Sequence, residues 1–327
     1  QPADSTVHPG EPVDLSVTAH VGDGGTLSYQ WYSNTLDSNS GGAAVGSDSS
    51  GYSPPTDTAG TIYYYCVVTN TRDGDTASAT SNTARVRVRD GSGSEANHIG
   101  VTADLHDERS DFQAWLNGLQ SAADSLDHMI FGGDYTYFGD AWTEAQEFAS
   151  MAAATFPGVP VTLAKGNHDA TGTYAEGLAY NGSEYAIYVL DIDRSDQTIT
   201  SDYHALDTAL AGIDSSKPVF VVCHYPLHHI AGRTTTNAHD FINVLNKYPN
   251  AIYLWGHNHS QDDDNYGTVK DAGDTIVCAS GEAPVTICFT YANMGSIYDD
   301  MGNNYGAYGL LMEMTRDVNE TTINFVY

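Results

Sequence analysis

The spacing of apolar and polar residues changes character once along this chain, near residue 90. Up to that point apolar residues recur in short runs at every second position, as in Val13-Asp14-Leu15-Ser16-Val17-Thr18, with Gly, Asp and Ser between the runs. A period of two sets one face of a strand inward and the other outward. Tyr63–Val68 is the strongest such run, and Ala84–Arg89 places valines on one face and arginines on the other. Residues 1–90 therefore read as an all-β domain. The stretch Asp90-Gly-Ser-Gly-Ser94 has the composition of a flexible linker, assigned to residues 91–96.

Over residues 97–327 strands alternate with helices, the pattern of an α/β domain. Expected strands are His98–Ala103, His128–Phe131, Val159–Ala164, Tyr185–Leu190, Val219–Cys223 and Ile252–Trp255. Ser110 reads as the cap of a helix carrying Phe112, Trp115, Leu116 and Leu119 on one face. A second helix, Asp140–Thr155, stops before Pro157-Gly158; a third carries Phe241, Val244, Leu245 and Tyr248 and ends at Pro249-Asn250. Past residue 274 strands return, at Thr275–Ala279, Val285–Phe289, Gly309–Met314 and Ile323–Tyr327.

Composition sharpens this picture. At 327 residues and 41% apolar content, two domains with sizeable cores are expected, and no apolar run approaches the ~20 residues of a membrane span. The chain holds 42 acidic and 12 basic residues, a net charge of −30. Ten of the acids and four of the bases fall before Glu95. Such a surface repels nucleic acid and anionic membranes, which excludes general nucleic-acid binding. The charge fits secretion or a salty milieu, and the start at Gln1 reads as a processed or trimmed chain, so an extracellular or cell-surface location is expected. The four cysteines form no CxxC. Cys278 and Cys288 flank an expected hairpin and are read as a disulfide or as two buried thiols; Cys223 is read as core.

Five short stretches combine His, Asp or Asn with Gly or Pro in order: Asp104-Leu105-His106, Gly133-Asp134, Gly166-Asn167-His168-Asp169, His224-Tyr225-Pro226 and Gly256-His257-Asn258-His259. Each follows an apolar run. In open α/β sheets ligands bind beyond the carboxyl ends of strands, so side chains far apart in sequence meet at one rim. One such Asp or His is more often a turn residue or a core histidine; five stretches in order point to one metal site. Nitrogen and oxygen donors favour zinc, manganese or iron. Gly133, Gly166 and Gly256 adjoin these residues where the backbone must turn sharply.

The order of these motifs resembles that of the calcineurin-like metallophosphoesterases, over about residues 97–327. The resemblance implies two facing β-sheets with helices outside and two divalent or trivalent metal ions (Zn, Mn or Fe). It assigns Asp104, His106 and His259 to one metal and Asn167, His224 and His257 to the other, with Asp134 bridging. Two such cations lower the pKa of a shared water to give a hydroxide that attacks phosphorus. His168 is then read as general acid to the leaving oxygen. Asp169 is read as orienting the His168 ring, with a purely structural role as the alternative.

Gly133-Asp134-Tyr135-Thr136-Tyr137 also has the GDxxY pattern of purple acid phosphatases, whose tyrosine ligates iron. Those enzymes lack the first-motif histidine, and with His106 present Tyr137 is read as packing behind the ligands or in the core. The intact Asp-x-His and the His-x-Pro at 224–226 look instead like bacterial cyclic-nucleotide phosphodiesterases. Arg233, His228, His229, His239 and Tyr135 are candidate substrate contacts, and Asp262–Asp264 reads as a solvated acidic turn.

The expected activity is hydrolysis of small-molecule phosphate esters. A phosphodiesterase is the alternative within enzymes, and a catalytically silent surface-binding protein on the same scaffold is the alternative outside them. In the N-terminal domain, Trp31, the run Asp57-Thr58-Ala59-Gly60 and Tyr64-Tyr65-Cys66 resemble an immunoglobulin-like sandwich. That resemblance implies a corner tied by the Tyr64 hydroxyl and a spacer or adhesion unit that contacts a surface partner. Leu15 and Val17 stand where the partner cysteine would be, so Cys66 is read as a buried thiol.

Overall fold

Alternation in the N-terminal run builds its sheet. In the computed structural model Gly60–Arg72 pairs along its length with Thr26–Asn34, setting Trp31 opposite Cys66. The described residues are all of 1–327 except 8, 59, 89–96, 124, 231–232, 260–266, 299–307, 318–319 and 327. The linker Asp90–Ser94 and the acidic run Asp262–Asp264 lie outside them. The chain divides into two units, Gln1–Glu95 and Ala96–Tyr327.

The first unit holds a six-stranded sheet and a two-stranded one made of Leu15–Ser16 and Gly51–Tyr52. Trp31, Leu15, Val17, Cys66 and Val86 share its core. Cys66 is a free thiol, pushed up to about 11 by burial. Tyr64 packs in that core, and the neighbouring Tyr65 hydroxyl is the one that reaches backbone, accepting from the Gly42 amide at 3.1 Å.

In the second unit, parallel strands Val161–Leu163, His128–Phe131 and Asn97–Thr102 form half of one six-stranded sheet, continued by antiparallel Tyr308–Asp317. A second six-stranded sheet has Ala186–Val189, Val219–Cys223, Ala251–Trp255 and Thr290–Asn293 all parallel. Alternate residues of each strand face opposite layers. Ile99, Val101 and Ile130 of one sheet meet Phe220, Val222 and Leu254 of the other in a shared core. Met129 and Phe131 instead pack with helices α1 (Arg109–Ala122) and α2 (Ala141–Thr155) through Phe112, Leu116 and Phe148. Val219, Val221 and Tyr253 pack with α3 (Tyr203–Ala211) and α4 (Ala238–Leu245) through Leu206, Phe241 and Leu245. The order is helix, sheet, sheet, helix, and strands buried on both faces explain the continuous apolar runs.

Several expectations change. Helix α1 begins ahead of Ser110, with Glu108 at the N-cap position and no side-chain cap. Helix α2 is capped by Asp140, which accepts from the Trp142 amide. The short α3 and the strand Gly177–Asn181 were not expected; α3 buries only Leu206 and Leu210, too few to show a helical period. Thr275–Ile276 and Val285–Thr286 do form a hairpin, but Ile276 pairs with Val285, so Cys278 and Cys288 are not opposite one another. Both thiols are free, Cys278 buried and Cys288 exposed, so neither the disulfide nor the reading of two buried thiols holds. No described helix is long and apolar enough to cross a membrane.

Candidate metal centre

The loops that carry the polar motifs leave strands Asn97–Thr102, His128–Phe131, Val161–Leu163, Val219–Cys223 and Ala251–Trp255 at their carboxyl ends. Two of these loops touch backbone to backbone. A Cβ on Gly133 (φ 98°) would lie 2.3 Å from the Gly166 nitrogen, and one on Gly166 would lie 2.2 Å from the Asp134 nitrogen and Oδ1. Only glycine permits that approach.

Asp169 holds the same junction from inside. Its Oδ2 accepts from the Asp134 and Gly166 amides at 2.9 and 2.7 Å, and its Oδ1 from the Tyr135 amide at 3.1 Å. Its carboxylate is spent on three backbone amides, which corrects the reading of Asp169 as the group that orients His168. Burial pushes this carboxyl up to about 6, helped by Asp134 and opposed by its amide donors.

Donor atoms of Asp104, His106 and His259 lie within 4.8 Å of one another, and so do those of Asp134, His224 and His257. Asn167 joins the second group, with Oδ1 3.0 Å from His224 Nε2. Asp134 Oδ2 lies 3.2 Å from His224 Nε2 and 3.7 Å from His106 Nε2, so this carboxylate stands between the two groups. His224 Nδ1 donates to the Gly132 carbonyl at 2.9 Å, which fixes the ring and aims Nε2 inward. Asp104 Oδ2 accepts from the His257 amide at 2.9 Å.

Burial pushes the Asp104 carboxyl up to about 7, against the pull of His224. Burial also acts to raise Asp134, but the His224 ring, His106 and the His168 amide outweigh it and hold the carboxyl well below its usual range. His224 is pushed up to about 9: burial would lower it, and Asp134 and Asp104 win. Burial pulls His106 down to about 3 and His257 well down. Two carboxyls, the imidazoles of His106 and His257 held neutral by burial, and a His224 ring held protonated by Asp134 and Asp104 thus crowd one buried pocket. Among the described residues, Asp104 Oδ1 and both His106 ring nitrogens have no hydrogen-bond partner. Buried polar atoms left so are costly unless a cation takes them, and this oxygen and nitrogen set suits zinc, manganese or iron.

The surrounding residues sort differently from expectation. Arg233 Nη1 lies 3.2 Å from His257 Nε2, at the site. Tyr135 does not face substrate: it is fully buried, and its hydroxyl donates to the Phe131 and Ala164 carbonyls. His228 is also buried, with Nδ1 2.7 Å from the Tyr291 hydroxyl and its ring edge-on to Trp255, so it is a core residue. His229 is half-buried against Thr234, and His239 pairs with Glu282 at the surface. Tyr137 lies parallel on the His106 ring, centroids 3.9 Å apart and planes at 16°. Sequence reasoning missed Arg194, which donates to the Asn167 carbonyl, and Gln197, whose Oε1 is 3.2 Å from His257 Nε2. Both sit in an irregular loop with no motif to single them out.

Residues 98–261, half of the chain, match the family described as Calcineurin-like phosphoesterase, and the chain belongs to that family. It is a metal-dependent phosphoesterase. Among solved structures, purple acid phosphatase PPD1 from yellow lupin (Lupinus luteus) seeds is similar at 11% identity and a TM-score of 0.48, over 96% of this chain and 69% of that one. A putative alpha-galactosidase from Bacteroides fragilis is similar at 10% identity and a TM-score of 0.18, over 78% and 51%. No curated protein matches the chain.

Proposed function

We propose that the enzyme is a dinuclear phosphatase of small phosphate esters. Asp104, His106 and His259 would hold one metal ion, Asn167, His224 and His257 the other, and Asp134 would serve both. The observation that carries this reading is the position of Asp134 Oδ2, within 4 Å of a histidine nitrogen from each group. Two cations held there supply a water of lowered pKa as nucleophile and screen the phosphoryl charge.

The chain's own groups do the rest. The His168 backbone amide donates to Asp134 Oδ1 at 2.8 Å, which fixes the residue beside the shared carboxylate and leaves its half-buried ring available as proton donor to the leaving oxygen. Arg233 brings a positive charge to the His257 side, where it can meet a phosphoryl oxygen. The −30 net charge supports secretion, and the Trp31–Cys66 core supports an immunoglobulin-like spacer.

Metal analysis with turnover of an aryl phosphate tests the proposal. Near two ions per chain with hydrolysis is expected. One ion per chain at full activity would refute the dinuclear reading, and tight metal without turnover would favour a binding protein on this scaffold.

A further inference from the structure

We infer that the leaving-group side of this site selects esters carrying a planar aromatic ring, and that Phe138 is the residue that does so; the inference rests on the hydrolytic reading above. Phe138 is 94% exposed, the most exposed large hydrophobic among the described residues. A lone exposed phenylalanine is ordinary on a protein surface, so the case rests on where its loop holds it.

The loop is not simply loose at this point. The Thr136 hydroxyl and the Tyr137 amide both donate to Asp107 Oδ2, at 2.9 and 3.2 Å. Two residues past Phe138, Asp140 accepts from the Trp142 amide at 3.2 Å to cap α2. Phe138 is therefore anchored on both sides with its ring outward.

Its neighbours connect it to the chemistry. Phe138 stacks on Tyr137 with centroids 5.9 Å apart and planes at 29°, and Tyr137 in turn stacks on His106. The His168 ring stands edge-on to Tyr137 and to His106, 5.1 Å from each. Tyr298 closes the same wall, edge-on to Tyr137 and His106 at 5.1 Å. A leaving oxygen within reach of His168 therefore leaves beside the Tyr137 ring, and Phe138 is the exposed ring that stacks on Tyr137. A flat ring there gains stacking area on a shelf already in place. It also gains affinity without asking a strongly acidic surface to bind further negative charge.

Two sources supply such a ring, an aryl ester directly on the leaving oxygen and a nucleoside one sugar further out. The test compares the metal-loaded full chain with Phe138→Ala and Phe138→Trp on phenyl phosphate, a nucleoside 5′-monophosphate and glycerol phosphate. Phe138→Ala should lower kcat/KM by about 3- to 10-fold on a ring-bearing ester, mainly through KM, and leave glycerol phosphate unchanged. Phe138→Trp should retain the ring preference. Loss on phenyl phosphate, on the nucleotide or on both supports the inference and tells which source the shelf fits. An equal change on all three esters, or no change on any, overturns it. A wild type that turns over none of the three overturns the reading as a phosphatase of small esters, and this inference falls with it.

Discussion

Replacing His168 by alanine separates the proposed proton donation from the holding of metal, because the proposal gives the ring one task and the structure gives the backbone amide another. Its backbone amide donates to Asp134 Oδ1 at 2.8 Å, and that bond survives the substitution. Its ring makes edge-on contacts with His106 and Tyr137, each worth about 1 kcal/mol. The ligand groups should therefore keep their places and the metal content should stay near wild type. Turnover should fall by about 10²–10⁴-fold, or roughly 3–5 kcal/mol of barrier. The assay pairs metal analysis with kcat for a series of aryl phosphates of rising leaving-group pKa. A lost proton donor hurts poor leaving groups most, so the deficit should widen along the series. A uniform deficit accompanied by metal loss would show that the ring acts through the ligands. Full metal with full turnover would show that the proton comes from elsewhere.

Gly166→Ala would set a Cβ 2.2 Å from Asp134 Oδ1, so Asp134 must shift by roughly 1 Å, beyond what a preorganised site tolerates; bound metal should fall by more than half by elemental analysis, and full occupancy would contradict the packing argument. Asp169→Asn turns one acceptor into a donor facing a backbone amide, which should cost about 2–3 kcal/mol in chemical denaturation; a neutral result would contradict the reading of Asp169 as the tie between the two loops. His128 is buried against Thr162, and burial pulls its pKa down to about 4. The unfolded chain takes up a proton near pH 6.5 that the folded chain refuses until about pH 4, so the stability present above pH 6.5 drains across that window by up to about 3 kcal/mol. His128→Asn should flatten the fall in unfolding free energy between pH 6.5 and 4, and an unchanged slope would exclude His128 as its source.

Strands were the most legible part of the sequence, because a strand buried on both faces shows as an unbroken apolar run. His128–Phe131 and Val219–Cys223 begin and end where the runs do. The motifs after them were legible for the same reason, since a polar triplet against such a run stands out. Side-chain direction was not. Tyr135 directly follows Asp134, yet its ring turns into the core under α2, where its hydroxyl meets two carbonyls. His228 lies four residues past His224 and points to Tyr291 and Trp255 instead of the site. Nothing local distinguishes these directions; they are set by which sheet face the loop re-enters. Asp169 was misread because its neighbour His168 is the nearest partner in sequence, whereas its actual partners are the Gly166 amide of its own loop and the Asp134 and Tyr135 amides, 35 and 34 residues away.

The backbone supplies an argument for the site that is independent of donor distances. Seven described non-glycine residues have positive φ, and four of them are Asp104 (50°), His106 (40°), Asp134 (57°) and His257 (71°), all proposed ligands. A left-handed conformation costs a non-glycine residue roughly 1 kcal/mol or more, and glycine would adopt it freely. Gly133 shows that the chain uses glycine at this rim where the backbone turns and a second loop packs against it, at φ 98°. At the next position, under the same demand, it carries an acid whose carboxylate is drawn between two histidines. Local preference and side-chain chemistry disagree at these four places, and the chemistry has prevailed each time. Sequences fold well when local choices agree with the whole, so a concentration of disagreement at one rim marks where function outweighs stability. Turn formation alone would favour glycine or asparagine at all four positions and gives no reason for buried, unbonded nitrogens on His106. Holding cations accounts for both.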